Sequence, residues 1–273
     1  MNSIAFSSQA GVGDLLRQWR QRRRLSQLEL AGEADISTRH LSFVENGRSV
    51  PSRGMLLRLA DRLDMPLRAR NEMLHAAGFA ALYPERALDA PEMSVARRTV
   101  DTVLQAHAPF PALAVDRHWT LVASNGAVAP LLAGVSPELL QGPVNVLRLS
   151  LHPQGLAPRI DNLAEWRAHL LSRLQQQIDR SGDAQLVALH AELAAYPMPA
   201  ADAPTHEFGA IAVPLRLRLA GRAEPLSFIS TTTVFGTPVD VTLSELALEC
   251  FYPADQRTRE ALQGLPRDKR HAL

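Results

Sequence analysis

The sequence predicts an α+β chain of two domains: an all-helical head of five short helices, then an antiparallel sheet with helices on one side. Up to about residue 80, apolar residues recur at helical spacing and are interrupted at short intervals by capping residues and glycines. In the last third the pattern changes to alternation, with Ile211, Val213, Leu215, Leu217 and Leu219 on one face and Arg216 and Arg218 on the other. The 273 residues, 46% of them apolar and 21% charged, suffice for roughly two ordinary globular domains. The expected boundaries are a head at 1–80, a linker at 81–93, a second domain at 94–265 and a tail at 266–273.

In the head, Leu15, Leu16 and Trp19 share one side of a first helix that runs out at Arg22–Arg24. Ser26 caps a short second helix, about Gln27 to Ala34, and Glu29 three residues on completes a capping box. Ser37 caps the third helix, which turns Leu41 and Val44 inward and stops at Asn46-Gly47. Asp35, in the turn before it, tolerates the left-handed backbone that such a turn needs. After Pro51, Leu56, Leu57, Leu59, Ala60 and Leu63 mark a fourth helix, and a fifth spans about Leu67 to Ala77 before Gly78.

Charge is unevenly divided. Residues 1–80 hold 12 arginines against 8 acidic residues, whereas the remainder holds 17 basic and 20 acidic. A basic head on an acidic body points to a polyanionic partner for the head alone.

From about Leu15 to Leu63 the chain resembles the phage Cro/repressor-type (XRE) helix-turn-helix family. The pieces that carry the likeness are Leu25-Ser-Gln-Leu-Glu-Leu-Ala31, Leu41-Ser-Phe-Val-Glu-Asn-Gly-Arg48 and Pro51 with its downstream helix. The resemblance implies a cytoplasmic transcription regulator that binds double-stranded DNA as a homodimer on a near-palindromic operator. The third helix would enter the major groove, where N-terminal residues reach base edges. Thr38 and Arg39 stand there, with Ser42 and Phe43 one turn on, His40 beside them and Ser37 at the cap. In relatives, the position of Gln27 anchors a phosphate, and those of Arg48 and Arg53 meet the DNA backbone or the minor groove. Arg20 and Glu45 occupy positions that form a partly buried structural ion pair.

Beyond the linker, a helix from about Ser94 to His107 leads into two strands, Pro111–Asp116 and Trp119–Ser124, joined around Arg117-His118. Helices follow at about 137–151, 160–180 and 184–195. The second of these carries an apolar stripe of Leu163, Trp166, Leu170, Leu171, Leu174 and Ile178. Strands are then expected at 211–219, 226–235 and 239–243. That order is PAS-like, and several pieces resemble the MmyB-like ligand-binding domain. They are Pro111 to Trp119, Asn125, Asn145-Val-Leu-Arg148, Glu165-Trp166, Thr237 to Leu243, and Glu249 to Asp255 with Thr258. The resemblance implies a sensor of a small hydrophobic effector, with a fatty acid or similar small acid as the expected bound molecule and no other cofactor. A pocket between sheet and helices is mostly apolar with a few polar groups. Trp119, Trp166 and Phe228 are its candidate walls; Asn125, Arg148, His152 and Thr231 are its candidate polar groups, with Arg148 facing an acid. The residues alone equally fit a filled core with Arg148 in a surface ion pair. A second domain that only dimerises or binds a protein partner fits the same elements.

An enzyme is not expected. The only lysine, Lys269, falls in the tail, which leaves no lysine in the fold for a Ser-Lys dyad or a pyridoxal-phosphate linkage. The single cysteine, Cys250, excludes an intrachain disulfide and a multi-cysteine zinc site. The nine histidines are scattered, so no metal is expected. No apolar run reaches the roughly 18–20 residues of a membrane span.

Overall fold

A computed structural model describes residues 11–198 and 212–264. They form two compact units: the described residues up to Arg86 together with Pro238–Ser244, and Ala87–Thr237 together with the described residues from Glu245 onward.

The first unit contains α1 (Val12–Arg22), α2 (Gln27–Glu33), α3 (Thr38–Glu45), α4 (Arg53–Arg62) and α5 (Leu67–Ala76). Local chemistry starts each of the middle three. Ser26 Oγ accepts from the Glu29 amide while Glu29 Oε2 accepts from the Ser26 amide, at 3.2 and 2.7 Å. Ser37 and Ser52 accept from the amides of His40 and Met55 at the starts of α3 and α4. Asp35 takes φ +53°, a left-handed turn that its short polar side chain tolerates. The inward faces close on Leu16, Leu30, Leu41, Leu56, Leu59 and Met73, all fully buried. Gly13 lets α1 pass close to the end of α3, since a Cβ there would lie 2.5 Å from the Val44 carbonyl oxygen.

The segment expected as a linker is divided between the units. Asn71 Oδ1 accepts from the Leu82 and Tyr83 amides, and Arg68 forms a bidentate pair with Glu85, so residues 81–86 are part of the head. The run 239–243, read from its β-branched residues as a strand, is instead the start of a one-turn helix, α10 in chain order (Val241–Ser244). Asp240 Oδ1 accepts from the Thr242 amide and thereby starts a helical turn, overriding the β propensity of the valines. This turn belongs to the first unit: the Val241 amide donates to the Pro84 carbonyl at 2.8 Å, and Arg86 pairs with Asp240 at 3.2 Å.

The second unit runs α6 (Ser94–Ala106), β1 (Ala112–Val115), β2 (Leu121–Ser124), α7 (Val146–Leu151), α8 (Leu163–Ser181), α9 (Ala184–Ala195), β3 (Leu215–Leu217), β4 (Leu226–Val234), β5 (Ala247–Pro253) and α11 (Gln256–Gln263). The sheet order is β2-β1-β5-β4-β3, with every neighbour antiparallel. The expected strand at 211–219 is described as β3, shorter than the alternation suggested; Ile211 lies outside the described residues, as does the tail. The expected helix at 137–151 breaks into a 3-10 turn, Pro137–Leu140, and α7, because Gly142 (φ +68°) and Pro143 interrupt it.

Alternation along the strands sorts the two sheet faces. Leu113, Glu249 and Phe251 point towards the main helical layer of α7, α8 and α9, together with Phe228 and Leu217. Ala112, Ala114, Leu248 and Cys250 point the other way and are covered by Val100 and Leu104 of α6. The small alanines on β1 leave room for that helix.

Candidate nucleic-acid interface and apolar cavity

Helix α3 buries Leu41, Val44 and Glu45, which turns the opposite face outward. Arg39 is exposed there, its guanidinium 5.2 Å from the Phe43 ring, and Thr38, His40 and Ser42 are half-buried on either side. Arg48 and Arg53 are exposed just beyond. The face therefore offers a cation, two hydroxyls and an aromatic edge at the N-terminal half of a helix, the set that reads base edges in a major groove.

The end of α3 is held by a charge cluster. Glu45 is buried and takes a bidentate contact from Arg20 at 2.7 and 2.9 Å. The Gln27 amide nitrogen donates to the same carboxylate at 2.8 Å, and Arg17 reaches the Glu45 carbonyl and Asn46 Oδ1. Burial pushes the Glu45 carboxyl up, but the hydrogen bonds from Arg20 and Gln27 and the charges of Arg20 and Arg17 outweigh it and hold the group below the usual carboxylate range.

In the second unit, a cavity of about 100 Å³ lies between the sheet and the helices α7 and α8. Trp119, Trp166, Leu170, Leu217, Phe228 and Phe251 make up much of its wall. Trp119 sits at φ +66°, a conformation that a bulky residue adopts only when its surroundings insist. Asp116 supplies that insistence, accepting from the His118 and Thr120 amides, while Gln177 accepts from the Trp119 indole at 2.8 Å. Among the described residues, four polar ones reach the lining: Ser150, Arg173, Ser230 and Glu249. Ser150 accepts from the Trp166 indole at 3.0 Å. Arg173 contacts both oxygens of the buried Glu249, at 2.5 and 3.1 Å, and its guanidinium stacks 4.7 Å from the Trp119 ring. Thr232 joins the pair, donating to Glu249 at 2.9 Å. His169, one turn before Arg173 on α8, is lowered in pKa by burial and by that neighbouring charge.

Residues 96–265 match the family model described as the MmyB-like transcription regulator ligand binding domain. The chain belongs to that family. Residues 12–73 of this MmyB-like regulator match a second model, a helix-turn-helix domain, so its first unit is the DNA-binding head of a transcription regulator. Two solved structures are similar to about a quarter of the chain or less. The biofilm master regulator SinR, in complex with DNA, is 27% identical over 22% of this chain and 95% of its own, with a TM-score of 0.21. The restriction-modification controller protein C.AhdI from Aeromonas hydrophila is 29% identical over 24% of this chain and 98% of its own, at 0.22. Among curated proteins none matches the regulator.

The sequence-expected residues of the regulator fall into two groups. In the head, Thr38, Arg39, Ser42 and Phe43 come together on one face with His40 beside them. Ser37 Oγ accepts from the His40 amide at the helix cap, and the Gln27 amide nitrogen donates one bond to Glu45. In the second unit, Trp119, Trp166 and Phe228 line the cavity, but the four expected polar groups do not. Arg148 is turned to the surface, paired with Glu192 at 2.6 and 2.7 Å, and Tyr196 completes the cluster. His152 meets the ring of that same Tyr196 edge to face. Asn125 is buried as a backbone tie, donating to the Leu104 and Phe110 carbonyls and accepting from the Ala112 amide. Thr231 is exposed on the other sheet face, one residue out of phase with Ser230 and Thr232. Arg173 and Glu249, which replace them, were hidden by distance: 76 residues separate the partners. The available signal was the apolar stripe of α8, since Arg173 follows Trp166 by two turns beside it.

Proposed function

We propose that this regulator binds a near-palindromic operator as a homodimer through α3, and that a small hydrophobic molecule in the second unit alters that affinity. The observation that carries the reading is the apolar cavity behind Trp119, Trp166 and Phe228, with a charged pair at its edge, inside a domain of a ligand-binding family. The exposed face of α3 supports the first half, because one head reads about half a site and two heads roughly 34–36 Å apart read a repeated one. A ligand shifts binding only by its differential affinity for the DNA-competent form. The test is native mass spectrometry of freshly purified chain, followed by footprinting of the operator before and after removal of any co-purified molecule. The reading expects a dimer over two half-sites and a change in affinity on removal and reloading. A monomer protecting a short asymmetric site, or affinity indifferent to every loaded molecule, would overturn it.

A further inference from the structure

The polar edge of the cavity states what kind of head group it accepts. Arg173 and Glu249 both line the cavity, so the edge carries one positive and one negative charge that cancel. A carboxylate accepts about four hydrogen bonds. Glu249 receives three, two from Arg173 and one from Thr232, which leaves one acceptor position. Arg173 spends three of its five N–H groups on Glu249 and Thr232, so an incoming carboxylate would find two donors left but a buried anion beside them, with no further cation among the described lining residues to repay its lost water. Arg148, the other arginine an acid would call on, is bound to Glu192 and does not line the cavity. An uncharged O–H or N–H donor meets no such penalty and fills the open position. Size narrows the class further: an engineered cavity of about 150 Å³ takes benzene, and this one is about 100 Å³.

We infer that the cavity is built for a small, uncharged, mainly apolar molecule carrying a hydrogen-bond donor, such as a short alcohol or amide, with Glu249 accepting from its head and Arg173 holding Glu249 in place. This rests on the reading that the second unit takes up a ligand. The full chain, freed of bound molecules, is titrated at pH 7.5 with 1-propanol and with propanoate, followed by tryptophan fluorescence and calorimetry. Propanol is expected to bind at least about tenfold more tightly. Glu249→Gln removes the anion, so propanoate is expected to gain about tenfold on the exposed guanidinium while propanol does not. The comparison in the unaltered chain decides the matter even where the variant fails to fold. Equal or tighter binding of propanoate overturns the head-group assignment alone. A chain that takes up neither probe overturns this inference, while the ligand-sensing reading stands or falls on the native mass spectrometry and footprinting.

Discussion

At the scale of single residues, the head separates the exposed groups proposed to read bases from the groups that hold α3 in place. Arg39 is free of ion pairs among the described residues and rests on Phe43, so its fork is available for a base edge. Arg39→Ala is expected to cost about 1–3 kcal/mol on the preferred operator and to relax preference at one base pair. Arg48→Ala should instead weaken all sequences alike and flatten the salt dependence. Binding to a panel of operator variants at two salt concentrations separates the two. Glu45 has the holding role. Its carboxyl lies below its ordinary value, so its contribution to stability is fully present above the unfolded value near 4.3 and is lost as pH falls through the folded one. Urea unfolding of the head should therefore weaken on acidification below about pH 4, and Glu45→Gln should give a flatter profile there. Removing the main charge partner, as in Arg20→Ala, leaves the buried carboxylate with Gln27 and the more distant Arg17 alone, at a cost of up to about 3–5 kcal/mol. The surface pair Arg148–Glu192 is worth far less, since both side chains are more than a third exposed.

At the scale of elements, what decides behaviour is which backbone meets which. The helices of the head were legible because Ser26, Ser37 and Ser52 cap them locally, and capping needs no distant partner. The crossing of α1 over the end of α3 was not legible, since it depends on Gly13 meeting the Val44 and Glu45 carbonyls. Gly13→Ala would gain helix propensity in isolation, yet in the folded head the clash is with backbone oxygens that cannot swing aside. The expected result is a loss of about 1–3 kcal/mol, read from thermal unfolding. The strands show the same division. Alternation identifies Leu215 to Leu217 and β-branched residues identify the β4 run, but neither says which face is inward, so the expectation for Thr231 falls one residue out of phase with Ser230 and Thr232. The β-branched run 239–243 looked like a strand until Asp240 capped it as a helical turn.

At the scale of the molecule, the first unit is discontinuous in sequence. Residues 238–244 lie between β4 and β5 along the chain, yet they pack as part of the head, where Val241 is fully buried and its amide is bonded to Pro84. A fragment ending at Arg86 keeps the five helices and their core but loses Val241, Asp240 and the Pro84 contact. It is expected to stay helical and to melt below the same unit in the full chain, with faster amide exchange along α5. Identical exchange in fragment and full chain would show that the added turn contributes nothing to the head.

The sequence by itself determined the head, the exposed face of α3 and the apolar walls of the cavity. Each of these rests on spacings of three or four residues, on caps, or on large apolar side chains such as Trp166 and Phe228 that have few places to go. Only the tertiary structure decided the polar edge of the cavity and the membership of 238–244. An arginine on a helix is equally at home in a surface pair, as Arg148 is, or against a buried acid, as Arg173 is. The choice depends on whether Glu249 or Glu192 faces it after the sheet has closed, 76 and 44 residues away. Local propensity acts on neighbours in sequence, whereas charge pairing and burial act through space, and the second ordering is set only when the strands pair.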